Sequence, residues 1–139
     1  RLAAGGIAVA YNSSSTYWQG PVVSSAVRHN RSVIVVKFDN VGSSGLDVRN
    51  TSGMEICRLG GKQNCTASGD WIPVNISSAN GNQIALLIPA PRHERNTRAS
   101  MLLRYAWRAL AWEYKSGGIY AEKGSDYVAA PFRIVVARG

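Results

Sequence analysis

Short apolar runs separated by turn residues are the feature that most limits how this chain can fold. Residues 71–89, WIPVNISSANGNQIALLIP, hold two such runs on either side of Asn80-Gly81. Asn and Gly adopt positive φ angles easily, so this pair predicts a tight turn. We therefore predict a β-hairpin with strands at Ile72–Ser77 and Gln83–Ile88.

The same pattern recurs along most of the chain. Strands are predicted at Val22–Arg28 and Ser32–Phe38, within 99–107 and at 132–137, with a short hairpin around Asn50–Gly53. Strand Ser32–Phe38 has bulky residues on both faces, which favours an interior position in a sheet. Many short strands with turns between them predict an all-β domain, a β-sandwich or jelly-roll-like fold.

The beginning of the chain has a different pattern. RLAAGGIAVAY, residues 1–11, is typical of the end of a helix, and a polar segment follows it. We expect two parts: residues 1–17 as the helix end and linker of a preceding domain, and residues 18–139 as the β domain. Since the first residue is Arg1, we expect the sequence to be a fragment.

Cysteines and glycosylation sequons predict an oxidising compartment. The chain has two cysteines, Cys57 and Cys65, which would pair there and close a short loop. It also has five Asn-x-Ser/Thr sequons, an excess that predicts a glycoprotein of the secretory pathway. The acceptor residues are Asn12, Asn30, Asn50, Asn64 and Asn75.

Composition narrows the partners. With 139 residues, 45% of them hydrophobic and 17% charged, the chain is long enough for one domain with a real core. Its formal net charge is +8, but the basic residues are scattered and no nucleic-acid-binding motif accompanies them. This favours a solvated basic surface and no nucleic-acid partner. No apolar run is long enough to cross a bilayer, so no membrane span is predicted.

A catalytic or metal site is not predicted. The serines do not lie in Gly-x-Ser-x-Gly context, and paired carboxylates for glycoside chemistry are hard to assemble. His29 falls in a predicted hairpin turn and His93 in an arginine-rich loop, where a solvated residue is expected rather than a base. Two cysteines and two distant histidines do not form a zinc-ligand pattern, and no cofactor motif is present.

Residues 104–120, RYAWRALAWEYKSGGIY, concentrate aromatic and basic side chains. Leu103, Tyr105 and Trp107 alternate along a strand, so we predict that they point into the core. Trp112, Tyr114 and Tyr120 lie beyond the strand. For these three, an alternative to burial remains: they would lie in a loop and stack on the rings of a bound sugar.

A series of short motifs from residue 104 to residue 132, together with the start of the chain, carries a family resemblance. Residues 104–107, RYAW, are followed by EYK at 113–115, a tyrosine, and AAPF at 129–132. This series closely resembles the C-terminal region of sialate O-acetylesterases. Residues 1–11 with Gln19-Gly20-Pro21 are similar to the helix and junction that follow the family's catalytic domain. The residues of the motif series are Arg104, Tyr105, Trp107, Glu113, Tyr114, Lys115, Tyr120, Pro131 and Phe132.

The resemblance implies a secreted or lysosomal serine esterase of the Gly-Asp-Ser-Leu-like class, which removes O-acetyl groups from sialic acid, typically at the 9-position. The family's nucleophile and Asp-x-His element lie upstream, so this chain would contain no catalytic residue. It would be the C-terminal β domain together with the last helix of an α/β hydrolase domain. Its partners would be that catalytic domain in cis and, through the parent, an O-acetylated sialoglycan.

The resemblance also bears on individual residues. Animal members have cysteines before and after EYK, and here Ala111-Trp112 and Gly117 stand in those places. The difference leaves Cys57–Cys65 as the natural remaining pair. Arg104 would either pair with a buried carboxylate or bind the substrate carboxylate. We favour the first role, since an arginine within a strand commonly pairs locally.

Two other functions stay open. The chain would be a free-standing secreted carbohydrate-binding β-sandwich if Trp18, Trp112, Tyr114 and Tyr120 formed a stacking platform. It would be an interaction domain of purely structural function if all its aromatic side chains were buried.

Overall fold

The computed structural model describes residues 20–60, 65, 70–89, 99–107 and 117–139. These residues form strands and no helix, which confirms the all-β prediction. The predicted helix end at 1–17 lies outside the described residues, and no described segment is a helix able to span a membrane. The strands are β1 Val22–Arg28, β2 Val33–Asp39, β3 Asp47–Val48, β4 Met54–Arg58, β5 Ile72–Asn80, β6 Gln83–Leu87, β7 Met101–Tyr105, β8 Ile119–Tyr120 and β9 Phe132–Arg138.

Seven of the strands close into a barrel in the order β1-β2-β6-β5-β4-β7-β9. The first part of β5 pairs with β4 and the later part with β6. Strand β9 pairs antiparallel with β7 and then, over two residues, parallel with β1. Strands β1, β2 and β6 form one wall of the domain, and β4 and β7 form the other. Because β5 pairs with both β6 and β4, and β9 pairs with both β7 and β1, the two walls join into one closed sheet. Strands β3 and β8 pair separately as a small two-stranded sheet.

Alternation along each strand places the core inside the barrel. In β2, Ile34, Val36 and Phe38 are buried, whereas Val33 and Val35 on the other face are half-buried. Strand β2 lies between β1 and β6, in the interior position that its two bulky faces favoured. The fully buried side chains include Ile34, Val36, Phe38, Met54, Ile56, Ile84, Leu86, Met101, Leu103 and Tyr105.

The two predicted hairpins have different outcomes. Strands β5 and β6 form the expected antiparallel hairpin, but its turn is Gly81-Asn82, one residue later than predicted. Asn80 stays in the strand opposite Gln83, and Gly81 has a φ of +57°, as at the first position of a type II′ turn.

The hairpin predicted around Asn50–Gly53 is wrong. Strand β3 pairs with β8, and β4 pairs with β5 and β7. The Asn50 side chain accepts a hydrogen bond from the Ser52 amide, and Gly53 has a φ of +98°. These features turn the chain from the small sheet into the barrel wall instead of folding β3 back onto β4.

Tyr105, at the end of β7, joins the barrel to the small sheet. Its hydroxyl accepts a hydrogen bond of 2.9 Å from the backbone amide of Ile119 in β8. Its ring stacks on Phe132, with ring centroids 5.3 Å apart, and Phe132 also contacts Phe38 edge-on. Burial raises the pKa of the Tyr105 phenol far above its usual range, although the hydrogen bond from Ile119 opposes this shift.

The chain arrives at the same end of the barrel through Gly20-Pro21. A Cβ atom on Gly20 would lie 2.0 Å from the carbonyl oxygen of Val128, so this close approach requires glycine. Pro21 is fully buried, and the Ala129 amide donates to the Ile119 carbonyl at 2.7 Å. We call this end, marked by Pro21, Tyr105, Ile119 and Phe132, the motif end.

Replacing Tyr105 by phenylalanine tests the link between barrel and small sheet. The variant leaves the Ile119 amide without its acceptor inside the protein, and we expect the free energy of unfolding to fall by about 1–3 kcal/mol. Urea denaturation measures the change. In the control, Tyr127→Phe removes a hydroxyl from a half-buried ring and should cost less than about 0.5 kcal/mol. Equal losses in the two variants would contradict this role.

The raised pKa of Tyr105 predicts a pH dependence. An unfolded tyrosine ionises near pH 10, whereas Tyr105 in the folded protein keeps its proton well beyond that. Its contribution is therefore fully present below about pH 10 and is lost as the pH rises above it. We expect the stability difference between wild type and Tyr105→Phe to shrink between about pH 9 and about pH 11. A difference that stays constant over this range would contradict the assignment.

Candidate functional site

Three charged side chains form a row on the outer surface of β4, β7 and β9. Glu55 is the register partner of Arg104, and Arg104 is the register partner of Arg133. Their neighbours along the strands, such as Leu103 and Ile134, belong to the core or pack against it. The row therefore points away from the barrel interior.

Glu55 and Arg104 form a largely buried ion pair. The Nε atom of Arg104 lies 2.7 Å from Oε2 of Glu55, with side-chain exposures of 14% and 10%. A carboxylate removed from water needs a close cation to remain charged. Of the two roles predicted for Arg104, the structure therefore shows the first, pairing with a largely buried carboxylate.

Trp71 lies against both arginines of the row. The guanidinium carbon of Arg104 is 4.1 Å from the centroid of the Trp71 ring, and that of Arg133 is 5.5 Å from it. Cations at these distances are attracted to the negative face of the indole. The buried Trp71 ring therefore holds the two guanidinium groups in place on the sheet.

Trp107 is exposed, and the prediction that it points into the core is wrong. Ala106 has a φ of +51°, which ends strand β7 and breaks the alternation that buries Leu103 and Tyr105. As a result, 54% of Trp107 is accessible to solvent, and the Arg104 guanidinium lies 5.7 Å from its ring. We call the surface formed by Glu55, Trp71, Arg104, Trp107 and Arg133 the Arg–Trp face.

An apolar cluster borders the Arg–Trp face. Cys57 and Cys65 form a disulfide that packs with Trp71 and Leu102 on the outer side of the sheet. Leu102 is in register with Val135 of β9, which is 61% exposed. The Arg–Trp face is therefore bordered by buried apolar side chains, such as Leu102, and by an exposed one, Val135.

The described motif residues do not form one site. Tyr105 and Phe132 lie in the packing of the motif end, whereas Arg104 and Trp107 lie on the Arg–Trp face. Pro131 is exposed. The remaining predicted residues Glu113, Tyr114 and Lys115, with Trp18 and Trp112, lie outside the described residues.

Tyr120 does not offer a ring for sugar stacking. It is buried beneath Arg49, whose guanidinium carbon lies 3.6 Å from the ring centroid. Asp47 holds Arg49 in place through a contact of 2.8 Å. The stacking prediction is therefore wrong for Tyr120, because pairing of β3 with β8 covers the ring.

The described sequon residues lie off the Arg–Trp face. Asn30 is in the turn between β1 and β2, Asn50 in the loop before β4, and Asn75 on the outer side of β5. Asn12 and Asn64 lie outside the described residues. Glycosylation at all five positions stays a prediction.

Apart from the Arg–Trp face, the described residues form a pocket at the barrel end opposite the motif end. It encloses about 220 Å³ and is lined by residues that include Arg28, His29, Arg31 and Arg138. The Arg28 guanidinium donates to the carbonyls of Asn30 and Arg31, so it stabilises the β1–β2 turn. His29 is exposed there.

The chemistry of the Arg–Trp face suits binding. Guanidinium groups, indole rings and apolar side chains recognise protein surfaces or acidic sugars, whereas acyl transfer needs a nucleophile beside a base. Among the described residues, no group of three or more His, Cys, Asp or Glu side chains is placed to hold a metal ion.

Sequence reasoning missed Glu55, Trp71, Arg133 and Val135. In β9 the outward residues Arg133 and Val135 alternate with core residues, which is a readable strand signal. Glu55 stands within the otherwise apolar run MEIC, and a lone carboxylate there indicates a buried partner. The register that joins these strands has no signal in the sequence.

Comparison with known families identifies the family of this chain. Residues 23–136 match the family described as the sialate O-acetylesterase C-terminal domain. This confirms the resemblance found in the motif series. A comparison with curated proteins gives no match.

The buried ion pair can be tested by a double-mutant cycle. Arg104→Met removes the cation beside Glu55, and we expect the free energy of unfolding to fall by about 3–5 kcal/mol. The double variant Glu55→Leu with Arg104→Met removes both charges and should recover most of that loss. Arg133→Met, at an exposed position of the same face, is the control and should cost less than about 1 kcal/mol. A double variant as unstable as Arg104→Met would contradict the pairing.

Proposed function

Since the chain belongs to the sialate O-acetylesterase C-terminal domain family, we propose that it is the accessory domain of a carbohydrate esterase. The parent removes O-acetyl groups from sialic acid, typically at the 9-position. Its reactive serine and its Asp-x-His element belong to a catalytic domain that precedes this domain in cis. The chain itself supplies packing and positioning rather than a catalytic group.

The observation that carries this proposal is the exposed Trp107 of the Arg–Trp face, which lies two residues beyond Tyr105 and therefore close to the motif end. The preceding polypeptide reaches the barrel there through Gly20-Pro21, whose backbone packs against Val128. An upstream domain is thus tethered at the end from which the half-exposed indole projects. Tryptophan and arginine are the residues most enriched at the centres of protein interfaces.

The charge of the Arg–Trp face indicates what it contacts. Two arginines and one glutamate leave the row with net positive charge, and the whole chain has a net charge of +8. An opposing surface with acidic groups around an apolar centre would be complementary to it. The Glu55–Arg104 pair and the Trp71 ring hold the arginines before contact, which reduces the entropy lost on docking.

A secretory-pathway location, lysosomal or extracellular, is part of the proposal. The Cys57–Cys65 disulfide is typical of an oxidising compartment, and sequons at exposed positions such as Asn30 and Asn75 suit glycosylation there.

Acetate release by the full-length parent tests the docking role. We expect Trp107→Ala to lower kcat/KM on 9-O-acetylated sialosides about tenfold, equivalent to about 1.4 kcal/mol of lost positioning. Leu87→Ala is the matched control, because Leu87 is similarly exposed on another face of the barrel, and it should leave the rate unchanged. The isolated chain should release no acetate.

Two results would contradict the proposal. Hydrolysis by the isolated chain would mean that it contains the reactive groups. Equal kcat/KM values for wild type and Trp107→Ala would mean that the Arg–Trp face does not contact the catalytic domain. The exposed indole of Trp107 beside Arg104 also suits the alternative, a free-standing carbohydrate-binding domain. Binding of sialosides to the isolated chain with a Kd of about 1 mM or tighter would favour that function.

A further inference from the structure

Part of the outer surface of β1, β2 and β6 is apolar, although it faces away from the core. Val27 is in register with Val35, and Val35 with Ala85. In a neighbouring row, Val33 is in register with Leu87. Leu87 is 56% exposed and the other four side chains are half-buried. We call these five residues the apolar stripe.

The apolar stripe needs a cover. A water-facing sheet normally alternates apolar and polar residues, whereas here both faces of β2 are apolar over Val33–Val36. Contiguous exposed apolar surface in a folded protein marks a place that something else contacts.

Asn75 is the sequon residue beside the stripe. It is exposed on β5 and directly opposite Leu87, so the row across three strands is Val33, Leu87, Asn75. Cross-strand neighbours of this kind have Cβ atoms about 4.5–5.5 Å apart. The Asn75 amide therefore lies within one sugar ring of the most exposed side chain of the stripe.

The Asn75 side chain is also available for modification. In the part of the chain that the structure describes, its amide makes no hydrogen bond, whereas Asn30 and Asn50 each accept one from the backbone of the serine in their own sequon. Ser77, which completes the Asn75 sequon, is exposed and donates to the Ala85 carbonyl at 3.0 Å.

We propose that Asn75 is N-glycosylated and that its first N-acetylglucosamine covers the apolar stripe by packing on Leu87 and Val33. In the transfer, the amide Nδ2 forms a bond to C1 of the sugar, the bond from C1 to the pyrophosphate of a lipid-linked oligosaccharide breaks, and the amide proton leaves with the pyrophosphate. The C–H face of the ring lies on Leu87 and the hydroxyl groups face water. This inference rests on the secretory-pathway location proposed above.

The position of the glycan agrees with the docking role. In the closed order of strands, β2 and β6 lie across the barrel from β7, the central strand of the Arg–Trp face. Asn75 lies on β5, between β6 and β4, and a glycan that packs on Leu87 and Val33 extends over β6 and β2, away from that face. The two surfaces separate the solvated side of the domain from the side that contacts protein.

The test uses the full-length parent secreted from animal cells. Mass spectrometry of glycopeptides measures occupancy at Asn75, and an apolar fluorescent dye reports the exposed stripe. Asn75→Gln and Ser77→Ala both remove the sequon, and Asn30→Gln is the control at a sequon in the β1–β2 turn. On the wild-type protein, one endoglycosidase trims each glycan to a single N-acetylglucosamine, and an amidase removes it entirely.

We expect a glycan at Asn75, and dye fluorescence that rises in Asn75→Gln and Ser77→Ala but not in Asn30→Gln. Trimming to one sugar should leave the fluorescence low, whereas complete removal should raise it. Adding Leu87→Ser to Asn75→Gln should return it to the wild-type level. An unmodified Asn75 in the secreted protein, or equal fluorescence before and after complete removal, would overturn the inference. Acetate release, measured on the same samples, reports the proposed function separately.

Discussion

The hydrogen bond from the Ile119 amide to the Tyr105 hydroxyl connects every part of the motif end. Tyr105 ends a central strand, its ring packs on Phe132 of the last strand, and its oxygen holds β8 of the small sheet. From β8 the contacts continue to Ala129 and to the backbone beside Gly20. One buried phenol thus joins segments that are far apart in the chain. It supplies both apolar contact area and a polar atom that accepts a hydrogen bond from the buried amide of Ile119.

Strand β7 also shows how one short segment can contribute to a core and to a surface. Its alternate residues Met101, Leu103 and Tyr105 fill the barrel, whereas Leu102 and Arg104 face outward beneath Trp71 and the disulfide. Leu102 is buried because it packs with Cys65 and Trp71, and Arg104 is largely buried because it lies against the Trp71 ring. The strand is therefore largely buried on both faces, for two different reasons. Packing on both faces of β7 holds Arg104 in place. Trp107 lies beyond the end of the strand and is exposed.

Local signals in the sequence were sufficient for most of the long strands and for the β5–β6 hairpin, but not for pairing between strands far apart in the chain. Val22–Arg28 is found with its predicted bounds, and the β5–β6 hairpin forms with its turn shifted by one residue, because period-two alternation and turn residues act within a few positions. The hairpin around Asn50–Gly53 failed because β3 pairs with β8, some 70 residues later in the chain. Trp107 was misplaced because a single positive φ at Ala106 reverses the alternation. Arg104 was correctly given a local carboxylate, but its partner Glu55 comes from a strand that only the register identifies.

The barrel is sealed by two residue pairs of parallel sheet, Val27 with Ala137 and Arg28 with Arg138. These partners lie about 110 residues apart in the chain, so their pairing brings together the two ends of a very long segment. The conformational entropy lost in such a closure increases with the length of the segment. Until the final strand docks, β1 and β7 each present an unsatisfied edge to other chains. A ribosome must therefore release nearly the whole domain before its sheet becomes continuous, and until then the nascent chain is open to strand exchange.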